Sequence, residues 1–290
     1  MTKQWKIGFV GTGVMGKSIV KHLHKEGHDI TIYTRTKEKA NDLLDLGIAW
    51  ANTPGEAAKN AELVFTMVGY PKDVEEVYYG ETGIFANLGA DSIVVDLTTS
   101  TPTLASQLFD DAKKKGISSL DAPVSGGDIG AQNGTLSIMV GGEKEVFETI
   151  YPLFELFGST IVYQGKAGSG QHTKMANQIG ITGTMIAACE AITYAKAAGL
   201  DSETVLSSIT GGAAGSWTLS NLAPRMLKED FAPGFFMKHF IKDMRIALEE
   251  AAKMELRLPG LQMVYNMYLE LAEQGLENEG TQSFIKYYQS

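Results

Sequence analysis

Apolar and polar positions in the first half of the chain follow two alternating periods. Residues 6–10, 29–33, 63–67 and 93–96 are short runs with β-branched side chains and the length of buried strands, and residues 118–121 read as a further strand. Between them, residues 14–26, 37–46 and 103–115 carry helical spacing. Gly27 and Gly116 stand where helices end in a left-handed residue. This alternation predicts a parallel sheet with crossover helices. Residues 135–140 and 160–163 read as further strands, separated by a helical stretch over 143–157.

The pattern changes near Gly165. From Gly170 to Gly199 one long, mostly apolar helix is predicted, and the remaining sequence has helical spacing over 201–209, 216–227, 238–253 and 261–274. Gly211-Gly212, Pro233-Gly234 and Pro259-Gly260 punctuate these stretches. The expected architecture is therefore α/β: an N-terminal parallel-sheet domain over 1–165, and an all-α C-terminal domain over 166–290 that opens with the long helix. A helix of roughly 30 residues would be about 45 Å long. That exceeds the width of a small domain, so it is expected to pack on both domains or on a second subunit, in a homodimer or homotetramer.

Composition narrows the function. The 290 residues carry 25 Lys plus Arg against 34 Asp plus Glu, a net charge of −9, which argues against a general nucleic-acid binder. Hydrophobic residues at 44% are ample for a core. The single cysteine, Cys189, permits no intrachain disulfide and favours a reducing, cytoplasmic location. Met1-Thr2-Lys3-Gln4 leads directly into the first strand, without the pattern of a signal peptide. The most apolar later stretch, Ile179 to Cys189, is interrupted by Gly180, Thr182, Gly183 and Thr184, too short and polar to span a bilayer. A soluble protein with no membrane partner is expected.

Gly11-Thr12-Gly13-Val14-Met15-Gly16 places a G-x-G-x-x-G sequence between the first strand and the first helix. There Gly11 permits the tight turn, Gly13 lets a diphosphate approach the backbone, and Gly16 lets helix and strand pack closely. The exposed N–H groups at the helix start then favour the phosphates. The bland alternative is a glycine-rich turn without a ligand. Thr34 stands where an NAD site usually has an acid for the ribose hydroxyls, and Arg35 and Thr36 come directly after it. A guanidinium with neighbouring hydroxyls suits a 2′-phosphate, so NADP(H) is favoured, with NAD(H) possible. Alternatively, Arg35 and Lys37 are the solvated start of a helix.

Ser125-Gly126-Gly127 exposes a hydroxyl and consecutive N–H groups, suited to a substrate carboxylate or simply to an ordinary turn. Lys174, Asn177 and Gln178 lie at i, i+3 and i+4, on one face near the start of the long helix. A lysine on an apolar helix is costly to bury unless paired or used, the alternative being a snorkelling surface lysine.

These motifs, with Gly168-Ser169-Gly170-Gln171-His172-Thr173-Lys174 and Lys242-Asp243-Met244, resemble the β-hydroxyacid dehydrogenase family over essentially the whole chain. That family includes 3-hydroxyisobutyrate dehydrogenase and the tartronate, glyoxylate and succinic semialdehyde reductases, with 6-phosphogluconate dehydrogenase as a longer, distant relative. The resemblance implies a Rossmann-type dinucleotide-binding domain over 1–165 joined by a long helix to an all-α domain over 166–290. The resemblance implies that Lys174 is the catalytic acid/base, that Ser125 and Gly126 bind the substrate carboxylate, and that Asn177 or Gln178 assists at the reacting oxygen. It places Thr99 and the Met67-Val68 turn beside the cofactor, and has Phe235, Lys242 and Asp243 cover the site. Two departures stand out: Asn177-Gln178 where many members have Asn-Asn, and Val68-Gly69 where many have Leu-Pro.

The implied chemistry is NADP-linked interconversion of a small hydroxyacid with its semialdehyde or oxo acid. Reduction is favoured, because an ordinary lysine ammonium is already a proton donor, whereas oxidation needs its pKa lowered. The alternatives are an NAD-linked oxidation of 3-hydroxyisobutyrate-like acids, and a non-catalytic cofactor-binding interaction module. Retention of Lys174 argues against the module, and against imine reduction. The five histidines lack ligand spacing, so no metal is expected. Cys189, Trp217 and the methionines of the C-terminal helices are assigned to core.

Overall fold

The computed structural model describes residues 3–289. Met1 and Thr2, the start of the segment leading into the first strand, lie outside the described residues. The chain divides into two compact units, Met1–Lys174 and Met175–Ser290.

Among the described residues, unit 1 is built on a nine-stranded sheet: β1 (Lys6–Val10), β2 (Asp29–Tyr33), β3 (Ala49–Trp50), β4 (Leu63–Thr66), β5 (Ile93–Asp96), β6 (Ser118–Asp121), β7 (Val124–Ser125), β8 (Leu136–Gly142) and β9 (Gly158–Gly165). Its order is β3-β2-β1-β4-β5-β6-β8-β7, with β9 beside β8. The first six strands in that order are parallel, and the chain reverses its winding between β1 and β4. This is the switch point where an open α/β sheet leaves a crevice at the carboxyl ends of its strands. The Rossmann-like reading of the N-terminal half therefore holds. The sheet is not parallel throughout, however: β8 runs antiparallel to β6 and β7, while β9 is parallel to β8.

Strands β4 and β5 are buried along their whole length, which is why they read as continuous apolar runs rather than alternating ones. Phe9 on β1 and Phe65 on β4 pack 6.0 Å apart at the ring centroids. Phe154, from the helix Lys144–Phe154, and Phe157 close over Phe65 edge-on. Such tilted pairs combine apolar burial with favourable quadrupole geometry.

The predicted helix over 37–46 is instead a 3-10 turn, Lys37–Ala40, running into a single helical turn, Asn41–Leu44. The predicted helix over 216–227 breaks at Leu222, because Pro224 cannot donate a backbone bond within a continuous helix.

The long helix spans Ser169–Ala197, 29 residues, contributing its first turns to unit 1 and the rest to unit 2. Unit 2 is helical, including Met237–Lys253 and Pro259–Glu273, and ends in a 3-10 segment, Thr281–Tyr288. Its core takes Met175, Met185, Cys189, Met226, Met237 and Met244, together with Phe240, Tyr268 and Phe284. Burial raises the Cys189 thiol pKa far above its usual value, keeping it unreactive. Trp217 departs from expectation: it is 65% exposed, at the first position of a short surface helix. Among the described residues no helix is long and apolar enough to cross a membrane.

The glycine-loop packing sets up a stability test. A Cβ at Gly16 would collide with the carbonyl oxygen of Gly11, whereas one at Gly13 would meet nothing within 4 Å. Gly16→Ala should cost about 1–3 kcal/mol by forcing backbone apart, and Gly13→Ala under about 1 kcal/mol. Thermal melts of the two variants, without ligand, check this; equal losses would contradict it.

Candidate active site

The glycine loop leaves the end of β1 at the switch point. Gly11 has φ +100°, and a Cβ there would strike the carbonyl of Met67, so the residue must be glycine. The loop is tied on one side by Gly11 N–H donating to Tyr33 O at 2.8 Å, and on the other by Met67 N–H donating to Val10 O. Gly16 brings the helix Val14–Lys25 against the strand. Gly13 is different, because no protein atom occupies the space its side chain would fill. That helix starts without a side-chain cap, leaving its first N–H groups to another acceptor. Val14 is exposed, Met15 packs against the core, and the Thr12 hydroxyl is buried without a hydrogen-bond partner. These features fit the diphosphate of a dinucleotide.

Thr34, Arg35 and Thr36 come after β2. Arg35 is exposed, and its Nη1 lies 3.3 Å from Asp73 Oδ1. The other oxygen of Asp73 accepts the Tyr70 N–H at 3.0 Å, at the start of the helix Pro71–Tyr78. Thr36 precedes the 3-10 turn without capping it through its hydroxyl. Sequence reading missed Asp73, since nothing in local spacing ties it to a residue 38 positions earlier.

Beyond β4 and β5 the backbone is held by a buried polar chain. Asp96 Oδ1 accepts from the Thr66 hydroxyl at 2.8 Å and from Thr98 N–H at 3.0 Å. Thr98 Oγ1 in turn accepts Val68 N–H at 3.0 Å. Thr99, between buried Thr98 and Ser100, is half-buried.

The carboxyl end of β6 supplies the anchor of the site. Asp121 Oδ1 accepts Gly168 N–H at 2.8 Å and Oδ2 accepts Gln171 N–H at 2.9 Å. The carboxylate thus caps the start of the long helix, satisfying orphan donors that the helix cannot satisfy itself. Gly170 permits this approach, since a Cβ there would overlap the carbonyls of Met139 and Asp121. One turn on, Lys174 is buried and its Nζ donates to Val124 O at 2.8 Å. The structure therefore brings Lys174 to the strand that runs directly into Ser125, Gly126 and Gly127. Gly126 and Gly127 both have positive φ, +132° and +65°, and Gly126 is exposed.

In unit 2, Gln178 is buried and its Nε2 donates to Asp243 Oδ2 at 2.7 Å, while Asn177 Nδ2 donates to Gln178 Oε1 at 2.8 Å. Lys242 Nζ lies 3.1 Å from Asp243 Oδ1, an ion pair whose angles fall short of a directed hydrogen bond. Asp243 is 1% exposed, so its carboxylate is spent on Gln178 and Lys242. Phe235 is half-buried, packed near the rings of His239 and Phe240. Elsewhere His22 bonds the carbonyls of Ala131 and Gln132, and His28 Nδ1 accepts from Trp5 N–H. No group of three His, Cys, Asp or Glu among the described residues is placed to hold a metal.

Comparison with known proteins identifies the family of the chain. Residues 6–165 match the family described as the NAD binding domain of 6-phosphogluconate dehydrogenase. Residues 168–288 match the NAD-binding family of NADP-dependent 3-hydroxyisobutyrate dehydrogenase. An uncharacterized oxidoreductase of Bacillus subtilis, YkwC, is 58% identical over 97% of this chain and 98% of its own. The 2-hydroxy-3-oxopropionate reductase of Escherichia coli is 37% identical, over 93% of this chain and 92% of its own. Among solved structures, Mycobacterium tuberculosis 3-hydroxyisobutyrate dehydrogenase with L-serine superposes with a TM-score of 0.91. It is 27% identical and covers 99% of this chain and 100% of its own.

Burial raises the Asp121 carboxyl to about 6, against backbone bonds that favour its ionised form. The unfolded chain loses this proton near the usual carboxylate value and the native state near 6. The contribution to stability is therefore present below about pH 4 and lost as pH rises through 6, roughly 3 kcal/mol in all. Urea unfolding of wild type and Asp121→Asn at pH 4 and pH 7 should differ by that pH-dependent amount, and parallel pH responses would contradict it.

Proposed function

The chain belongs to the 3-hydroxyisobutyrate dehydrogenase, or β-hydroxyacid dehydrogenase, family, and from that premise we propose that it is an NADP(H)-dependent reductase of small semialdehyde or oxo acids. The observation that carries this reading is the buried Lys174, held 2.8 Å from the carbonyl of Val124, next to the Ser125 turn. An ammonium in a desolvated site with a fixed partner is a placed proton donor rather than a snorkelling surface charge.

Bound NADPH would supply the hydride. The residues to hold it are the Gly11–Gly16 loop for the diphosphate, Arg35 with Thr34 and Thr36 for the 2′-phosphate, and Met67, Val68 and Thr99 beside the nicotinamide end. The Ser125 hydroxyl and the backbone of Gly126 and Gly127 take the substrate carboxylate, which fixes the carbonyl carbon in place. As negative charge develops on the carbonyl oxygen, Lys174 protonates it. In the reverse direction its neutral form would accept the hydroxyl proton. Asn177 and Gln178 assist at that oxygen. Because Asp243 holds the amide of Gln178 and is itself buried, it acts by orienting Gln178 rather than by meeting substrate. Lys242 lies 3.1 Å from that carboxylate, and Phe235 is the apolar side chain of unit 2 offered to substrate.

The name of the Escherichia coli relative, a reductase of 2-hydroxy-3-oxopropionate, supports an aldehyde bearing a nearby carboxylate as substrate. A second reading, NAD-linked oxidation of 3-hydroxyisobutyrate-like acids, draws on the carboxylate of Asp73 beside Arg35, which partly offsets the charge offered to a 2′-phosphate.

Two variants test the assignment. Lys174→Ala should lower kcat by roughly 10²–10⁴-fold with NADPH affinity nearly unchanged; full activity would remove Lys174 from proton transfer. Arg35→Ala should weaken NADPH by roughly tenfold or more and leave NADH almost unaffected. Equal losses for both cofactors, measured by titration, would favour the second reading.

A further inference from the structure

Gln171 is fully buried, and its side chain makes two bonds to one short stretch of backbone. Nε2 donates to Thr98 O at 2.7 Å and Oε1 accepts Ser100 N–H at 2.9 Å. These are the carbonyl before Thr99 and the N–H after it, so the amide grips Thr99 from both sides, as a neighbouring strand would. Thr99 is the half-buried residue in an otherwise buried run from Ser92 to Ser100. The grip extends further, because Thr98 Oγ1 accepts Val68 N–H. On its other side Gln171 is fixed in turn: its own N–H is taken by Asp121, and Lys174 lies three residues along the same helix.

We propose that Gln171 is a positioning residue that holds Thr99 and the Met67-Val68 turn in register with Lys174. The proposal rests on the functional reading that assigns Thr99, Met67 and Val68 to the cofactor and Lys174 to proton transfer. A side chain that only filled a buried space would not need both of its polar ends on the two peptide units flanking one residue. Removing the grip leaves a buried carbonyl and a buried N–H without partners, and lets the segment shift. A displacement near 1 Å between reacting groups costs roughly 10²-fold in rate.

Gln171→Met keeps the length and removes both bonds. Gln171→Glu, when ionised, keeps the acceptor for Ser100 and loses the donor to Thr98. For each, kcat and KM with NADPH and a semialdehyde acid, NADPH affinity, thermal stability and amide hydrogen exchange at Val68 are measured. The expected result is a kcat lower by roughly 10²-fold, with KM and NADPH affinity little changed. Val68 exchange, at a site Gln171 does not touch, should rise by roughly tenfold or more. Wild-type kcat with unchanged Val68 exchange would overturn the proposal. So would variants that melt earlier but turn over at the wild-type rate when folded, or failure of both to fold, since each leaves Gln171 a purely structural residue. Lys174→Ala run in parallel separates the two claims: unaffected turnover there defeats the acid/base reading, while Val68 exchange still reports on the grip.

Discussion

The bond between the Asp121 carboxylate and the first turn of the long helix is the constraint on which the rest depends. It joins the last residue of β6 to Gly168 and Gln171, and so determines where the helix begins and how it is rotated. Everything placed on that helix depends on this start. Lys174 arrives at Val124, Gln171 at the segment after β5, and Asn177 and Gln178 one turn later. The cap opposes its own burial: desolvation pushes the Asp121 carboxyl up to about 6 even though two backbone N–H groups favour its charge. An uncapped helix start at the same depth would leave those donors unsatisfied, which is the costlier arrangement.

The residues of unit 1 proposed for the cofactor and substrate collect where the sheet's topology makes them collect. The glycine loop comes after β1, Thr34 to Thr36 after β2, Met67 and Val68 after β4, Thr98 to Ser100 after β5, and Asp121 ends β6. Each lies at the carboxyl end of a parallel strand, on the side where the winding reverses between β1 and β4. The loops are then cross-tied, Gly11 to Tyr33, Val68 to Thr98, and Thr98 and Ser100 to Gln171. These bonds restrain the backbone of the loops proposed to present groups to a ligand.

Much of this could be read from sequence, and the exceptions have physical causes. Strands β1, β4 and β5 were legible as apolar runs, β2 by the alternation of Ile30 and Ile32 with polar neighbours, and β6, Ser-Ser-Leu-Asp, only by its place in the alternation of strands and helices. The glycine loop was legible because its spacing is tied to one backbone task. Strands β3 and β7, two residues each, are too short to carry a period. The antiparallel direction of β8 was hidden, since side-chain alternation carries no information about strand polarity. Lys174 could be singled out as a costly lysine on an apolar helix, but its partner, the Val124 carbonyl, is 50 residues away. Gln171 lay within a recognised motif, and with Lys174 and Gln178 it forms an i, i+3, i+7 polar stripe that sequence could have offered. Its task depends on backbone 71 and 73 residues earlier, which spacing alone cannot supply. Trp217 was misassigned to core because a large aromatic is usually buried, whereas here it opens a five-residue surface helix.

The most direct test of hydride transfer to a carboxylate-bearing carbonyl is to trace the label. The protein would be incubated with NADPH deuterated at C4 of the nicotinamide and, separately, with succinic semialdehyde, glyoxylate, tartronate semialdehyde and methylmalonate semialdehyde. Mass spectrometry of the products should find a hydroxyacid with one non-exchangeable deuterium on the carbinol carbon from at least one of them. Tight NADPH binding with no labelled hydroxyacid from any substrate would contradict the reductase assignment.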